Sequence, residues 1–346
     1  MGQQLEEGLR FPWLAAPEPG EVVEVAPGLF WTRFALPFRL NHVNVFILED
    51  EGGWTIVDTG LGDQQTRTAW EALLAGRLGG RPVARIIVTH AHSDHVGSAG
   101  WLADRSGAPL YMSQGEYLTA TNLQLAPDAM DAQVHRAFYR GHGVPEKVTD
   151  ALVGLGRRYA RQSSAIPPTY RRLLVGDRLQ IGGREFAILT GGGHSADQVM
   201  LFCPSDGLFL AGDQVLARIS PNISVRANEP EGDPLSLYLQ SLKSLTAEMP
   251  HDVLVLPGHH LPFHGLPDRI TELINHHGMR CDEVHAACNE PRTVAELVTV
   301  AFPHIDDDHN KALAFGETLA HVNHLRCQGR LAMVEEPDGQ WRVRAS

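Results

Sequence analysis

The segment Thr89-His90-Ala91-His92-Ser93-Asp94-His95 packs four potential metal ligands into six residues, directly after the apolar run Arg85–Thr89. A strand end holds its backbone rigidly and sends alternate side chains the same way, so His90 and His92 can share one cation. As the chain turns into the next helix, Asp94 and His95 aim elsewhere and can serve a second cation. Neutral imidazole and a hard carboxylate suit zinc, with iron or manganese as alternatives. The competing reading is a surface histidine cluster that holds no metal, and the strand-end setting argues against it.

The elements that must position these ligands follow an α/β pattern. Leu29–Phe34, Val43–Leu48 and Trp54–Val57 are rich in β-branched and aromatic residues, with a hairpin turn at Glu49–Gly53. Thr66–Leu78 predicts an amphipathic helix that stops at Gly79-Gly80, and Ser98–Ser106 a second helix before the strand Pro109–Met112. Strands resume at Arg178–Ile181, Glu185–Thr190, Val199–Cys203 and Leu208–Ala211, and Val253–Leu256 follows a helix at Pro234–Glu248. Between them, residues 114–175 predict a helical insertion. From residue 280, helices around Cys281–Cys288, Thr293–Ala301 and Ala312–Gln328 precede a hairpin, Arg330–Val334 with Trp341–Arg344, as in a winged helix. The expected layout is a domain over 21–279 and a winged-helix-like region over 280–346.

The 346 residues carry 41 acidic and 29 basic side chains, a net charge of −12, with 18 histidines. That balance opposes a general polyanion binder, because nucleic-acid affinity rests on Lys and Arg neutralising phosphates. The C-terminal region is itself acidic, which favours docking or homodimerisation there over DNA binding. No apolar run approaches the ~20 residues of a membrane span. Met1–Gly20 lacks an apolar signal core, and Cys203, Cys281, Cys288 and Cys327 form no C-x-x-C pair, so a reduced, cytoplasmic protein is expected.

T-H-x-H-x-D-H resembles the first metal motif of the metallo-β-lactamase-fold hydrolases. Four later segments resemble the rest of that pattern in the correct order: Thr55–Gly60 with Asp58, Gly192-Gly193-His194-Ser195, Ala211-Gly212-Asp213, and Leu256-Pro257-Gly258-His259. Gly192 stands where the family usually has Pro. The resemblance implies a four-layer αβ/βα sandwich and two divalent metal ions. His90, His92 and His194 would hold one ion, Asp94, His95 and His259 the other, with Asp213 bridging them. Asp58 would support the ligands from behind, and His260 would lie behind the site or at its rim. Asp94 and Asp213 would be the catalytic carboxylates, and a hydroxide shared by the metals would attack the substrate.

A complete ligand set resembles the hydroxyacylglutathione thioesterase and lactonase branches, so hydrolysis of a thioester, lactone or ester is expected. An endoribonuclease or phosphodiesterase is the second reading. A metal-bearing regulator with weak turnover is the third. The insertion has eight basic and five acidic residues, a balance of +3, which suits a lid over a small anionic acyl ester or thioester. Candidate substrate contacts are Arg157, Arg158 and Tyr159 in that lid, Arg218 and Asn222 after Asp213, and His42 on a strand near the site. His276, His277, His304, His309, His321 and His324 lack ligand spacing, and packing or surface roles are expected for them.

Overall fold

The computed structural model describes residues 4–6, 8–18, 20–305 and 307–346. A two-stranded ribbon, β1 (Gln4–Glu6) and β2 (Leu9–Phe11), opens the chain. A seven-stranded sheet follows in sequence order: β3 (Val23–Ala26), β4 (Leu29–Ala35), β5 (His42–Asp50), β6 (Gly53–Val57), β7 (Val83–Ile87), β8 (Leu110–Met112) and β9 (Arg171–Arg172). A five-stranded sheet holds β10 (Arg178–Ile181), β11 (Arg184–Gly191), β12 (Gln198–Cys203), β13 (Leu208–Gly212) and β14 (Leu254–Pro257). The hairpin β15 (Leu331–Glu335) and β16 (Trp341–Ala345) closes the chain.

Strand alternation explains the layers. In β5, Val43, Val45 and Ile47 join an outer core with Trp70 and Leu73, whereas Phe46 and Leu48 join an inner core with Phe186 and Ile188 of the facing sheet. In β13, Leu208 and Leu210 point into the same inner core, and Phe209 and Ala211 into a third core on the far side. With side chains alternating at period two, apolar residues at every position demand cover on both faces. Helices α1 (Gln64–Ala75), α2 (Ser93–Val96) and α3 (Ala99–Ser106) belong to the first sheet's side. Asp63 caps α1 by accepting from the Thr66 N–H. The result is the αβ/βα sandwich.

The insertion holds α4 (Gln114–Leu125), α5 (Gln133–Gly141), α6 (Glu146–Val153) and α7 (Leu155–Gln162). Tyr117 and Tyr159 join the first sheet's outer core, while Tyr139, Val148 and Leu152 join the core beyond the second sheet. The insertion therefore straddles both halves. Its last residues are not helical, since Arg171–Arg172 add an edge strand beside β8.

On the second side, α8 (Pro234–Glu248) precedes α9 (Leu266–Ala287), α10 (Val294–Ala301) and α11 (Asp308–Cys327). Helix α9 begins well before the helix expected near Cys281 and crosses residue 280 without a break. Its Leu266, Ile270, Leu273, Cys281 and Val284 share one core with Phe315, Leu331, Val343 and the sheet's Phe209. Burial of that continuous apolar stripe outweighs the polar appearance of the His276-His277 pair. Among the described residues, no helix is long and apolar enough to cross a membrane.

Candidate metal centre

Strand direction brings the ligand-bearing segments to one edge of the sandwich. Strands β6, β7 and β8 run parallel, as do β13 and β14, and β11 points the same way as β13 because β12 is antiparallel to both. Asp58, the His90–His95 segment, His194, Asp213 and His259 each follow the carboxyl end of one of these strands. Such ends form the usual binding crevice of a layered α/β domain.

Three overlapping donor groups result: His90 with His92 and His194; His90 with His95 and Asp213; and Asp94 with His95 and His259. Within each, the ligand atoms lie within 4.8 Å of one another. Asp213 joins the two outer groups, with its carboxylate 3.1 Å from His259 Nε2, 3.5 Å from His95 Nε2 and 3.6 Å from His194 Nε2. His259 Nε2 also lies 3.5 Å from Asp94. Gly258 permits this approach, since a Cβ there would sit 2.2 Å from Asp213 Oδ1.

The tautomers follow from what surrounds each ring. His95 Nδ1–H donates to Asp58 at 2.8 Å, His194 Nδ1–H to the Asn222 carbonyl at 3.0 Å, and His259 Nδ1–H to the His42 carbonyl at 2.7 Å. Each Nε2 lone pair is thereby turned toward the cluster. Buried Nε2 of His95 and of His194, and Asp213 Oδ1, have no hydrogen-bond partner. Orphaned buried acceptors are costly, so a pair of divalent cations fits this donor set.

Charge divides the cluster. Burial, then neighbouring histidines, lower the pKa values of His90 and His92 well below the ordinary histidine range. Burial also opposes charge on His95 and His259, but Asp213 and Asp94 outweigh it and raise both. Asp213 is held well below the ordinary carboxylate range, because His259 and His95 outweigh its own burial.

Supporting groups come from several elements. Asp58, with a left-handed φ of 63°, also accepts from the Thr89 N–H at 2.8 Å and from its hydroxyl. Glu116 of α4 takes the main-chain N–H groups of Ala91 and Asp197, both at 2.7 Å, and so ties the two ligand loops together. Burial raises its pKa. Sequence reasoning missed Glu116: Ser113-x-x-Glu116 has the form of a helix-capping box, and only Ser113 performs that local role. It also missed Glu317 of α11, which accepts from the Asn222 side chain at 3.0 Å and has its pKa pushed up to about 7 by burial. The segment after Asp213 thus links His194 to the C-terminal helices.

A cavity of about 570 Å³ opens over the cluster. Its walls include Tyr159 and Arg158 of the insertion, Asn222, and His309 and Leu313 of the C-terminal region. Arg158 donates to His309 at 2.7 Å. Three expected substrate contacts, Arg157, Arg218 and His42, are not among the residues lining this cavity. Arg157 turns instead to Asp128 at 2.9 Å and Asp131 at 3.2 Å, an acidic turn of its own insertion. Arg218 lies over the Phe11 ring, 5.5 Å from its centroid. His42 accepts the His260 N–H through Nε2 at 2.8 Å and holds His259 through its carbonyl. His260 has a left-handed φ of 66°, and its carbonyl accepts from Asn44 at 2.8 Å and from Arg33.

The chain matches the Metallo-beta-lactamase superfamily over residues 39–259 and the Metallo-beta-lactamase-like, C-terminal domain over residues 281–346. It is similar to the crystal structure of a beta-lactamase domain protein from Burkholderia ambifaria, at 40% identity and a TM-score of 0.89, with 98% of each chain covered. Among relatives, the probable metallo-hydrolase YqjP of Bacillus subtilis (strain 168) is 24% identical over 86% of this chain and 91% of that one. A hydroxyacylglutathione hydrolase of Cereibacter sphaeroides (strain ATCC 17025 / ATH 2.4.3) is 25% identical over 51% of this chain and 48% of its own length.

Proposed function

Given that the chain belongs to the metallo-β-lactamase superfamily, we propose that it hydrolyses a thioester, lactone or other ester bond of a small anionic substrate. His90, His92 and His194 would hold one divalent ion, zinc by preference of their donor chemistry, and Asp94, His95 and His259 would hold a second, with the Asp213 carboxylate available to both. The observation that carries this reading is the convergence of these donors at the foot of a cavity with arginine in its wall. When bound, the ions would supply Lewis acidity and lower the pKa of water to about 7.

The chain's own residues orient and enclose. Asp58, His42 and Asn222 keep three imidazoles in the tautomer that presents Nε2. Asp94 lines the cavity and is 19% exposed, so its carboxylate would accept the proton released by the attacking water and return it to the leaving sulfur or oxygen as the C–S or C–O bond breaks. Helices α4 and α7 contribute Thr119, Leu123, Leu155 and Tyr159 to the cavity wall. The likeness to a hydroxyacylglutathione hydrolase supports a thioester. Cys203, Cys281, Cys288 and Cys327 are all free thiols, which fits a reducing, cytoplasmic setting.

The test is a turnover screen of zinc-loaded and manganese-loaded protein against thioesters, lactones, phosphodiesters and short RNA. Fastest turnover on thioesters or lactones is the expected result. Faster cleavage of phosphodiesters or RNA would overturn the reading.

A further inference from the structure

Arg226 sits in the wall of the metal-centre cavity, on the segment that follows Asp213. Its positive charge reaches His92, whose protonation it opposes. Among the described residues, no carboxylate lies within ion-pair distance of its guanidinium. The cavity's acidic groups have other work. Asp94 and Asp213 belong to the donor cluster, and Glu116 takes two main-chain N–H groups. Asp233 caps α8 through the Ser236 N–H and meets His324 at 3.1 Å. Glu229 is exposed at the rim.

A guanidinium enclosed without a counter-charge is costly to keep, and burial lowers the Arg226 pKa accordingly. Its backbone is held on both sides. The Val225 N–H donates to the Gly316 carbonyl at 3.0 Å, and the Ala227 N–H donates to the Tyr139 hydroxyl at 3.4 Å. The cation is thus pre-positioned by α11 and α5 and left open on its cavity side.

We infer that Arg226 is the anion-binding residue of this cavity and takes a carboxylate carried by the substrate, a short distance from the bond that is cleaved. The planar fork of arginine suits a carboxylate held by two hydrogen bonds. A single negative charge is favoured over a phosphate dianion, because one guanidinium matches one carboxylate and the acidic Glu229 lies at the rim of the same space. The inference rests on the hydrolase reading and narrows it to acyl esters or thioesters that bear a carboxylate.

The experiment compares two N-acetylcysteamine thioesters of equal chain length, glutaryl and pentanoyl, on the zinc-loaded full chain. Arg226→Gln should raise KM for the glutaryl thioester about ten- to a hundredfold more than for the pentanoyl one, a range set by charge-assisted hydrogen bonds. Arg226→Lys should recover part of the loss. Equal KM changes for the two substrates would overturn the inference. So would loss of zinc from both variants, which would make Arg226 a support for His92. Should Arg226→Gln fail to fold, Arg226→Lys carries the same comparison, with a selective rise in glutaryl KM expected. If the wild type cleaves neither thioester, the thioester reading fails by itself. Calorimetric titration of the zinc-loaded protein with glutarate then decides the subsite. An affinity at least about tenfold weaker in the variant sustains it, and equal affinity or no binding by the wild type overturns it.

Discussion

Among the described residues two buried histidine clusters stand apart, and one of them alone brings its donors together with carboxylates as a metal centre would. At the strand ends, Nδ1–H groups go to Asp58 and to the carbonyls of Asn222 and His42, and the Nε2 atoms converge on Asp213 and Asp94. Between α9 and α11, one ring nitrogen of His277 meets one of His321, with no carboxylate in the pair. His321 Nδ1–H donates to the Glu317 carbonyl at 2.8 Å, which leaves its Nε2 to accept from His277 Nδ1–H at 3.1 Å. Burial, aided by neighbouring cations, lowers these two to about 3 and about 4, whereas the carboxylates raise His95 and His259. Histidine number does not make a metal site. The destination of the Nδ1 proton and the presence of carboxylates do.

The largest expected effect separates the clusters outright. Asp213→Ala should cut hydrolysis by more than the about 10- to 100-fold that outer partners of a metal site contribute. Elemental analysis should then find fewer metal ions per chain, while His321→Gln retains the full wild-type content. Metal loss in His321→Gln would erase the distinction.

Next in size is Asp58→Ala. Loss of the acceptor for His95 Nδ1–H should weaken metal binding about 10- to 100-fold, read by chelator competition. Unchanged affinity would remove the argument from tautomers.

The second cluster has a pH signature of its own. Its histidines have native pKa values below the unfolded value of 6.5, so the unfolded chain binds protons that the native chain refuses as pH falls from about 6.5 to about 4. The stability contribution is complete above pH 6.5 and is lost on acidification. For His321 this amounts to about 2 kcal/mol between pH 7 and pH 5. Urea unfolding of metal-free wild type and His321→Gln should show that difference narrowing by this amount across the same interval. A constant difference would mean that His321 is protonated in the native state.

The smallest effect concerns two adjacent arginines. Arg158→Glu should raise KM for anionic thioesters in a salt-sensitive way, and Arg157→Glu should leave KM unchanged. Equal effects would return Arg157 to the cavity.

That last contrast shows where sequence reading stopped. Consecutive helical residues point about 100° apart, so Arg157 meets the acidic turn at Asp128 and Asp131 while Arg158 meets His309. Both belong to the same basic run, and composition cannot divide them. Glu116 was hidden because its spacing from Ser113 satisfies a local rule while its carboxylate serves loops far along the chain. The reach of α9 was hidden for a related reason: its buried stripe is matched by α10, α11 and the terminal hairpin, which are distant in sequence. The strand pattern and the order of the ligand motifs were legible, since two-residue alternation and strand-end placement are local properties.

By itself, then, the sequence determined the layered α/β class, the metal-ligand motifs and the uneven charge of the insertion. Each is written in residues close together along the chain. Tertiary structure decided which arginines face the cavity, which imidazole nitrogen each ligand presents, and which histidines are packing. Those outcomes depend on hydrogen-bond partners distant along the chain, such as the His42 carbonyl for His259 and the Gly316 carbonyl for Val225 beside Arg226. Direction and burial, unlike periodicity, exist only once the chain has folded.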